Sequence, residues 1–286
     1  MSDFCVVIPT LGRTETLDVA LAALESQSLK PLEIIIVFQG EARVYEELVA
    51  KYRSENVVVI GADKGLARAR NAGLNACSCH SEFVMFMDDD IKPAPNFLEV
   101  AAVQLSTHHF ASGRLTFEGT NESRLRFPKT PTPITAKNVW NTAIEATCVY
   151  RRLPLEVVGG FNEALGLGSG TRFGSGEGTD LLLRLLKNGM HGIYSPNAMA
   201  EEIVFEEVVP SNAQDVERVR SYAIGAGFVV GSHYGLAYQF WFVLKALLRL
   251  VSDAPRGNWR RRIAVLVGRV EGVLSAKKHQ RQPEIK

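Results

Sequence analysis

Five apolar residues in a row, Phe83-Val84-Met85-Phe86-Met87, run directly into three aspartates, Asp88-Asp89-Asp90. An unbroken apolar run of this length predicts a strand buried on both faces, as in the middle of a parallel sheet. Three adjacent carboxylates at its end repel one another, and burying them without partners would be costly. A divalent cation resolves that conflict, because Mg²⁺ and Mn²⁺ favour oxygen ligands. Carboxyl ends of parallel strands are also where open α/β sheets hold their ligands. The alternative is a solvated acidic turn that caps the next element.

The preceding segments repeat one rhythm. Residues 5–10, 33–38 and 57–60 read as strands. Residues 14–28, with Leu17, Ala20, Leu21 and Leu24 at helical spacing, read as a helix, as do residues 45–52 and 65–76. Strands alternating with helices in this way predict βαβ units and a mostly parallel, Rossmann-type sheet flanked by helices.

At 286 residues the chain is long enough for a sizeable core, and 46% hydrophobic with 22% charged residues is ordinary for a folded domain. The formal net charge of +1 hides an asymmetry. Residues 245–286 hold eleven Lys/Arg against three Asp/Glu, a net of +8, which leaves −7 on residues 1–244. A basic tail on an acidic body predicts an anionic partner surface. Nucleic acid is not expected, since Trp259 is the tail's one aromatic interleaved with its arginines. Cys5, Cys77, Cys79 and Cys148 lack a disulfide-framework spacing and read as structural thiols in a reducing compartment. The start, Met1-Ser2-Asp3-Phe4, does not read as a signal peptide.

Beyond residue 113 the texture changes. Residues 116–145 are polar and interrupted by Pro128, Pro131 and Pro133, which predicts a segment that loops out. Residues 166–178 hold six glycines in thirteen positions, just before a helix expected over 179–187. Without a Gly-Lys-Ser/Thr ending this is no P-loop. It reads as a mobile loop that shapes a site, the alternative being a plain linker. Residues 222–251 are the most apolar stretch, but His233, Gln239 and Lys245 interrupt it. Trp241, Leu244, Leu248 and Val251 fall on one helical face, so an amphipathic helix in a membrane interface is expected, with a core helix as the alternative. Arg256 and Arg260-Arg261-Arg262 follow, a run that suits anionic headgroups.

Taken in order, several motifs resemble family 2 glycosyltransferases. They are Val7-Ile8-Pro9-Thr10-Leu11-Gly12-Arg13, Pro31 to Val37, Gly65-Leu66-Ala67-Arg68-Ala69-Arg70-Asn71-Ala72-Gly73, Met87-Asp88-Asp89-Asp90, Val158-Gly159-Gly160-Phe161 and Gly176-Glu177-Gly178-Thr179-Asp180. The resemblance covers about residues 4–235. It implies the GT-A fold and inverting transfer of a hexosyl or deoxyhexosyl group from a nucleotide-diphosphate sugar to a hydroxyl. By that resemblance Asp90 is a ligand of Mn²⁺ or Mg²⁺. Asp88 touches the nucleotide ribose or shares the ion, and Asp89 touches the donor sugar or supports its loop. Arg70 lies near the diphosphate, while Pro9, Thr10 and Arg13 line the nucleotide pocket.

Three departures from the family pattern stand out. Where many relatives read Asp-Asp-Gly-Ser after the second strand, this chain has Val37-Phe38-Gln39-Gly40, which leaves Gln39 to meet the nucleobase. Where relatives place the acid that deprotonates the acceptor, it has Gly178. Glu177 is then the nearest general base, with Asp180 behind it, although an acid in a helix's first turn also stabilises the dipole. Glu202 falls where relatives carry a metal-binding histidine. The expected organisation is a nucleotide-sugar-binding half over 1–115 and an acceptor-binding, catalytic half of the same domain over 116–220. A basic, amphipathic helical region follows over 221–286. Together these readings imply a metal-dependent transferase acting on a glycan or lipid-linked glycan, peripheral on the cytoplasmic face of a membrane. The alternative is a non-catalytic subunit that binds nucleotide sugar or glycan.

Overall fold

The computed structural model describes residues 3–203, 212–252 and 259–281; Arg256 and the side chain of Val251 lie outside these. The chain divides into two compact units. The first holds residues 1–64, 68–161 and 181–206, the second residues 65–67, 162–180 and 207–286.

The first unit is built on one nine-stranded sheet. Its strands are β1 (Phe4–Thr10), β2 (Glu33–Phe38), β3 (Val57–Gly61), β4 (Phe83–Phe86), β5 (Ile91–Pro93), β6 (Phe110–Phe117), β7 (Thr132–Ile134), β8 (Cys148–Arg151) and β9 (Gly192–Glu202). Helices α1 (Thr14–Glu25), α2 (Ala42–Tyr52) and α3 (Leu66–Ala76) connect the first four strands; α4 (Phe97–Leu105), α5 (Val139–Thr142) and α6 (Arg152–Val157) follow. The order is β3-β2-β1-β4-β8-β6-β9-β5, with β7 on β9. The first four strands run parallel, as the alternation of strand and helix predicts. Beyond β4 the sheet is mixed. β8 runs antiparallel to both β4 and β6, β6 and β9 run parallel, and β5 and β7 edge β9 antiparallel. The boundary expected between residues 115 and 116 falls inside β6, because β6, β8 and β9 complete the sheet that β1 to β4 begin.

Burial explains the apolar runs. Every residue of β1 is buried, because β2 and β4 flank it and helices cover the sheet. Gly73 lets α3 lie directly on the sheet: a Cβ there would sit 2.2 Å from Val7 Cγ1. The thiol expectation needs correction for one pair. Cys5 on β1 and Cys77 just past α3 are joined as a disulfide, their Cα atoms 6.2 Å apart. Packing α3 on β1 brings together two cysteines that sequence spacing could not relate.

In the second unit, α8 (Asn212–His233), α9 (Leu236–Ser252) and α10 (Trp259–Arg281) form a helical cluster, and α7 (Glu177–Lys187) begins in this unit before returning to the first. Glycines let α8 and α10 touch backbone to backbone. A Cβ on Gly227 would lie 2.6 Å from Arg269 O, and one on Gly272 2.1 Å from Ile224 O. Gly231 and Gly268 are comparably close to the facing helix. Small residues at four-residue spacing on both helices create this close approach. Among the described residues no helix is long and apolar enough to cross a membrane.

Candidate active site

The aspartates lie at the carboxyl end of β4, beside the end of β1. Met87 N donates to Val7 O at 3.0 Å, so the triplet leaves the sheet level with Thr10. Thr10, itself buried, donates its hydroxyl to Asp89 Oδ2 at 2.6 Å and accepts from Gly12 N at 3.0 Å. Gly12 has a φ of +98°, the left-handed conformation that glycine adopts without strain. Arg13 then reaches back over the turn, forming ion pairs with Asp89 and, at 3.1 Å, with Asp90 Oδ2. Asp89 is thus turned towards Thr10 and Arg13 rather than outward.

Asp88 is held from the other side by Arg70, whose Nη2 lies 2.9 Å from Asp88 Oδ1. The Arg70 side chain is 2% exposed and that of Asp88 38%. A second set of contacts fixes Arg70. Its guanidinium sits 5.4 Å from the Phe161 ring centroid, and that ring packs edge-on against Phe86 at 4.8 Å. Phe161 is clamped by the neighbour of Arg70: Asn71 Nδ2 donates to Phe161 O at 3.0 Å, and Phe161 N donates to Asn71 Oδ1 at 2.8 Å. Gly160, at φ +68°, makes room for the clamp, since a Cβ there would meet Asn71 Oδ1 at 2.6 Å. Arg184 on α7 holds the same turn through Val158 O and Gly160 O, both at 2.7 Å. The sequence alone gives Asn71, Phe161 and Arg184 no individual role. Their signal was there in the Arg-Asn and Gly-Gly-Phe motifs, but pairing residues ninety positions apart needs the fold.

Electrostatics at the triplet follow from crowding. Burial pushes the Asp90 carboxyl up to about 6, with Asp88 adding to the rise and Arg13 opposing it. Burial also raises Asp89, against the Thr10 hydroxyl bond and Arg13. A donor set that resists ionisation in this way is one that a cation would relieve. Asp88 Oδ2 and Asp90 Oδ1 take no hydrogen bond among the described residues. Two carboxylates suit Mg²⁺ or Mn²⁺, which keeps waters and phosphate oxygens as its other ligands. Among the described residues, the set of three donors within 4.8 Å of one another is Cys5, Glu33 and Cys77, not the aspartates. In that set the sulfurs are bridged, and Glu33 Oε1 accepts from Ser78 N and Ser81 Oγ, both at 2.7 Å.

Other expected site residues have separate placements. Pro9 sits in β1 opposite Val37. Gln39 is buried, and its amide donates to Asp63 O, bridging the ends of β2 and β3. Glu202 ends β9 opposite Ile91, beside Asp90, whose carbonyl accepts from Ile203 N at 2.8 Å. Both Glu202 oxygens bond Arg124, one of them at 2.8 Å to Nε. In the second unit, Glu177 and Asp180 occupy the first turn of α7. Asp180 Oδ1 lies 2.7 Å from His233 Nε2, with both side chains largely buried. The sequence alone gives His233 no role either. The glycine-rich loop is anchored: Gly174 N donates to Ser221 O at 3.1 Å and Ser175 Oγ to Tyr222 O at 2.8 Å. Gly166, at φ +93°, leaves space for Glu177, whose carboxyl carbon would lie 3.0 Å from a Cβ there.

The model of the family described as glycosyl transferase family 2 matches residues 5–157, more than half of the chain and all of the Thr10, Arg70 and Asp88–Asp90 cluster. The chain belongs to that family. Glu177, Asp180 and Glu202 lie beyond the matched segment. A pre-mycofactocin glycosyltransferase of Mycobacterium tuberculosis is 29% identical over 211 residues, covering 69% of this chain and 42% of the relative. An uncharacterized glycosyltransferase, YwdF, of Bacillus subtilis is 30% identical over 167 residues, 55% of this chain and 61% of that protein. The chain therefore spans less than two thirds of the curated relatives it matches. Among solved structures, S. aureus TarS residues 1–349 superposes with a TM-score of 0.54 at 16% identity, covering 98% of this chain and 92% of TarS. The same protein in complex with UDP-GlcNAc gives 0.57 at 17% identity. The shared architecture is the GT-A fold.

Proposed function

We propose that the chain transfers a sugar, with inversion, from a nucleotide-diphosphate sugar to a hydroxyl of a glycan or lipid-linked glycan. The reading rests above all on the way the aspartates are oriented. Arg70 fixes Asp88, Thr10 and Arg13 fix Asp89, and Asp90 remains beside them with its proton affinity raised. Residues so constrained are pre-organised to hold a charged donor. Family membership and the likeness to TarS, which has been solved with UDP-GlcNAc, make a nucleotide sugar the donor class.

In this reading Asp88 and Asp90 hold Mn²⁺ or Mg²⁺, with Glu202 as a neighbouring acid. When bound, the cation neutralises charge that develops on the leaving diphosphate. Arg70 adds a fixed positive charge near the same group, and Pro9, Thr10, Arg13 and Gln39 shape the nucleotide pocket. Glu177 or Asp180 accepts the proton of the acceptor hydroxyl. The enzyme works at the cytoplasmic face of a membrane through its basic C-terminal region. A second reading, a binding subunit without turnover, is favoured by Gly178 at the position of the usual base.

The test is a binding and hydrolysis screen of UDP-, dTDP- and GDP-sugars with Mn²⁺, Mg²⁺ or EDTA. Metal-dependent binding with slow release of free sugar is expected. Binding without turnover, even with acceptors supplied, would favour the second reading, and no binding at all would reject transfer and leave only a glycan-binding subunit.

A further inference from the structure

Helix α9 carries a large apolar face that no described residue covers. Its buried face carries Gln239 and Ala246, and Gln239 Nε2 donates to Tyr234 O at 2.7 Å. Phe242 is half-buried with the Arg269 guanidinium 4.0 Å from its ring centroid, but other large apolar side chains point to solvent: Leu236 is 70% exposed, Phe240 69% and Trp241 53%, with Leu247 and Leu248 exposed one to two turns on. An ordinary surface helix shows the reverse arrangement.

Helix α10 repeats the pattern. Its glycine face lies against α8, and Ile263, Val267, Val270 and Leu274 recur at steps of four, three and four on the opposite face, all exposed. Glycine-to-glycine packing consumes no bulky side chains, so the helix's large apolar residues are left for the outside. Two exposed apolar stripes within one unit exceed what scattered surface residues account for.

Basic groups flank these stripes. Lys245 and Arg249 are exposed on α9, and Arg260, stacked over the Trp259 ring at 5.3 Å, starts α10. Lys277 and Lys278 stand just past Leu274. The sequence from residue 245 onward carries a net +8. A second copy of this surface would bring like charges together, which disfavours self-association. Tryptophan and phenylalanine beside basic residues are suited to the boundary of headgroups and acyl chains, where long cationic side chains reach phosphates. Neither helix is built to cross a bilayer. We infer that α9 and α10 form a monotopic docking surface whose exposed apolar stripes enter one leaflet of an anionic bilayer while their basic flanks contact its headgroups.

The inference is independent of the donor chemistry, and its test needs neither donor nor turnover. The full chain is co-sedimented with phosphatidylcholine vesicles, with and without phosphatidylglycerol, while tryptophan emission is followed. The expected result is sedimentation with the anionic vesicles, weakened by salt, with a blue shift of emission. Phe240→Ser combined with Trp241→Ser should weaken partitioning by about tenfold or more. Both side chains are exposed, so the melting temperature and donor binding should stay as in the wild type. Lys245→Glu with Lys278→Glu should remove most of the preference for anionic vesicles. Equal sedimentation of the Phe240/Trp241 variant and the wild type would overturn the inference, as would failure of the wild type to bind anionic vesicles. A wild-type dimer in light scattering that the same variant dissociates would assign the surface to a second copy instead, and would overturn it too.

Discussion

Arg70 holds Asp88 at 2.9 Å from inside the protein: the guanidinium is almost fully enclosed, whereas the carboxylate it grips is more than a third exposed. The charge that orients Asp88 is therefore rigid, and the carboxylate it orients is the more exposed of the two. Truncating Arg70 to Met should cost about 2–4 kcal/mol of stability, the upper part of the range for a buried pair being discounted because Asp88 can rehydrate. Donor affinity should fall with it. Arg70→Lys keeps the charge but loses the planar fork, so it should recover stability better than donor binding. Urea unfolding and calorimetric titration measure the two effects, and a wild-type donor affinity in Arg70→Met would remove Arg70 from the site.

Asp90 gives a pH signature. Its carboxyl is raised from an ordinary value of 3.8 to about 6 in the folded protein. The folded state thus binds this proton more tightly than the unfolded chain. The corresponding stability is fully present below about pH 4 and is lost as pH rises through about 6. In metal-free protein, Asp90→Asn should be more heat-stable than wild type near pH 8, with the difference closing towards pH 4. Metal affinity of the wild type should weaken as pH falls through the same window, because proton and cation compete. Melting curves in EDTA and Mn²⁺ titrations follow the two; parallel pH profiles for wild type and variant would contradict the raised carboxyl.

Gly73 and Gly61 form a matched pair. Alanine at Gly73 places a Cβ 2.2 Å from Val7 Cγ1, in the contact that seats α3 on β1, while nothing lies within 4 Å of a Cβ at Gly61. Gly73→Ala should cost about 1–3 kcal/mol and loosen donor binding through Arg70, and Gly61→Ala should stay within about 0.5 kcal/mol of wild type. Chemical denaturation of both variants decides, and equal stabilities would mean that α3 can shift without penalty.

The two candidate bases separate by their kinetics. Glu177→Gln should lose turnover while donor binding is kept, which initial rates and donor titration report directly. If turnover survives, Asp180 becomes the candidate, and its bond to His233 then supplies the orienting partner that a general base needs.

The bridge between Cys5 and Cys77 encloses a separation of 72 residues. A loop of that length is stabilised by about 4 kcal/mol in the chain-entropy model. Reductant should therefore lower the melting temperature of the wild type by several degrees and leave Cys5→Ser unaffected. Identical melting of the wild type with and without reductant would argue that the two sulfurs are thiols.

The parallel half of the sheet was legible because its strands are apolar runs and its helices carry regular apolar spacing. The mixed half was not. β5, β7 and β8 are only three or four residues long, too short to carry a period, and Pro133 sits inside β7. At the site, the motifs named Thr10, Arg13, Arg70 and the aspartates, and the fold gathers them. What the motifs could not reveal is partnership over distance. Asn71 with Phe161, Cys5 with Cys77 and Asp180 with His233 each join residues whose separation carries no local signal.

The clamp between Asn71 and Phe161 also bears on how the protein is made. Every aspartate of the triplet leaves the ribosome well before Phe161, and until that residue emerges Arg70 lacks the ring and the turn that hold it in place. The Arg70–Asp88 cluster is therefore encoded early in translation but completed late. A nascent chain halted before β8 should carry Arg13, Arg70 and the three aspartates yet lack the Phe161 ring that packs on Arg70 and the later acids Glu177, Asp180 and Glu202.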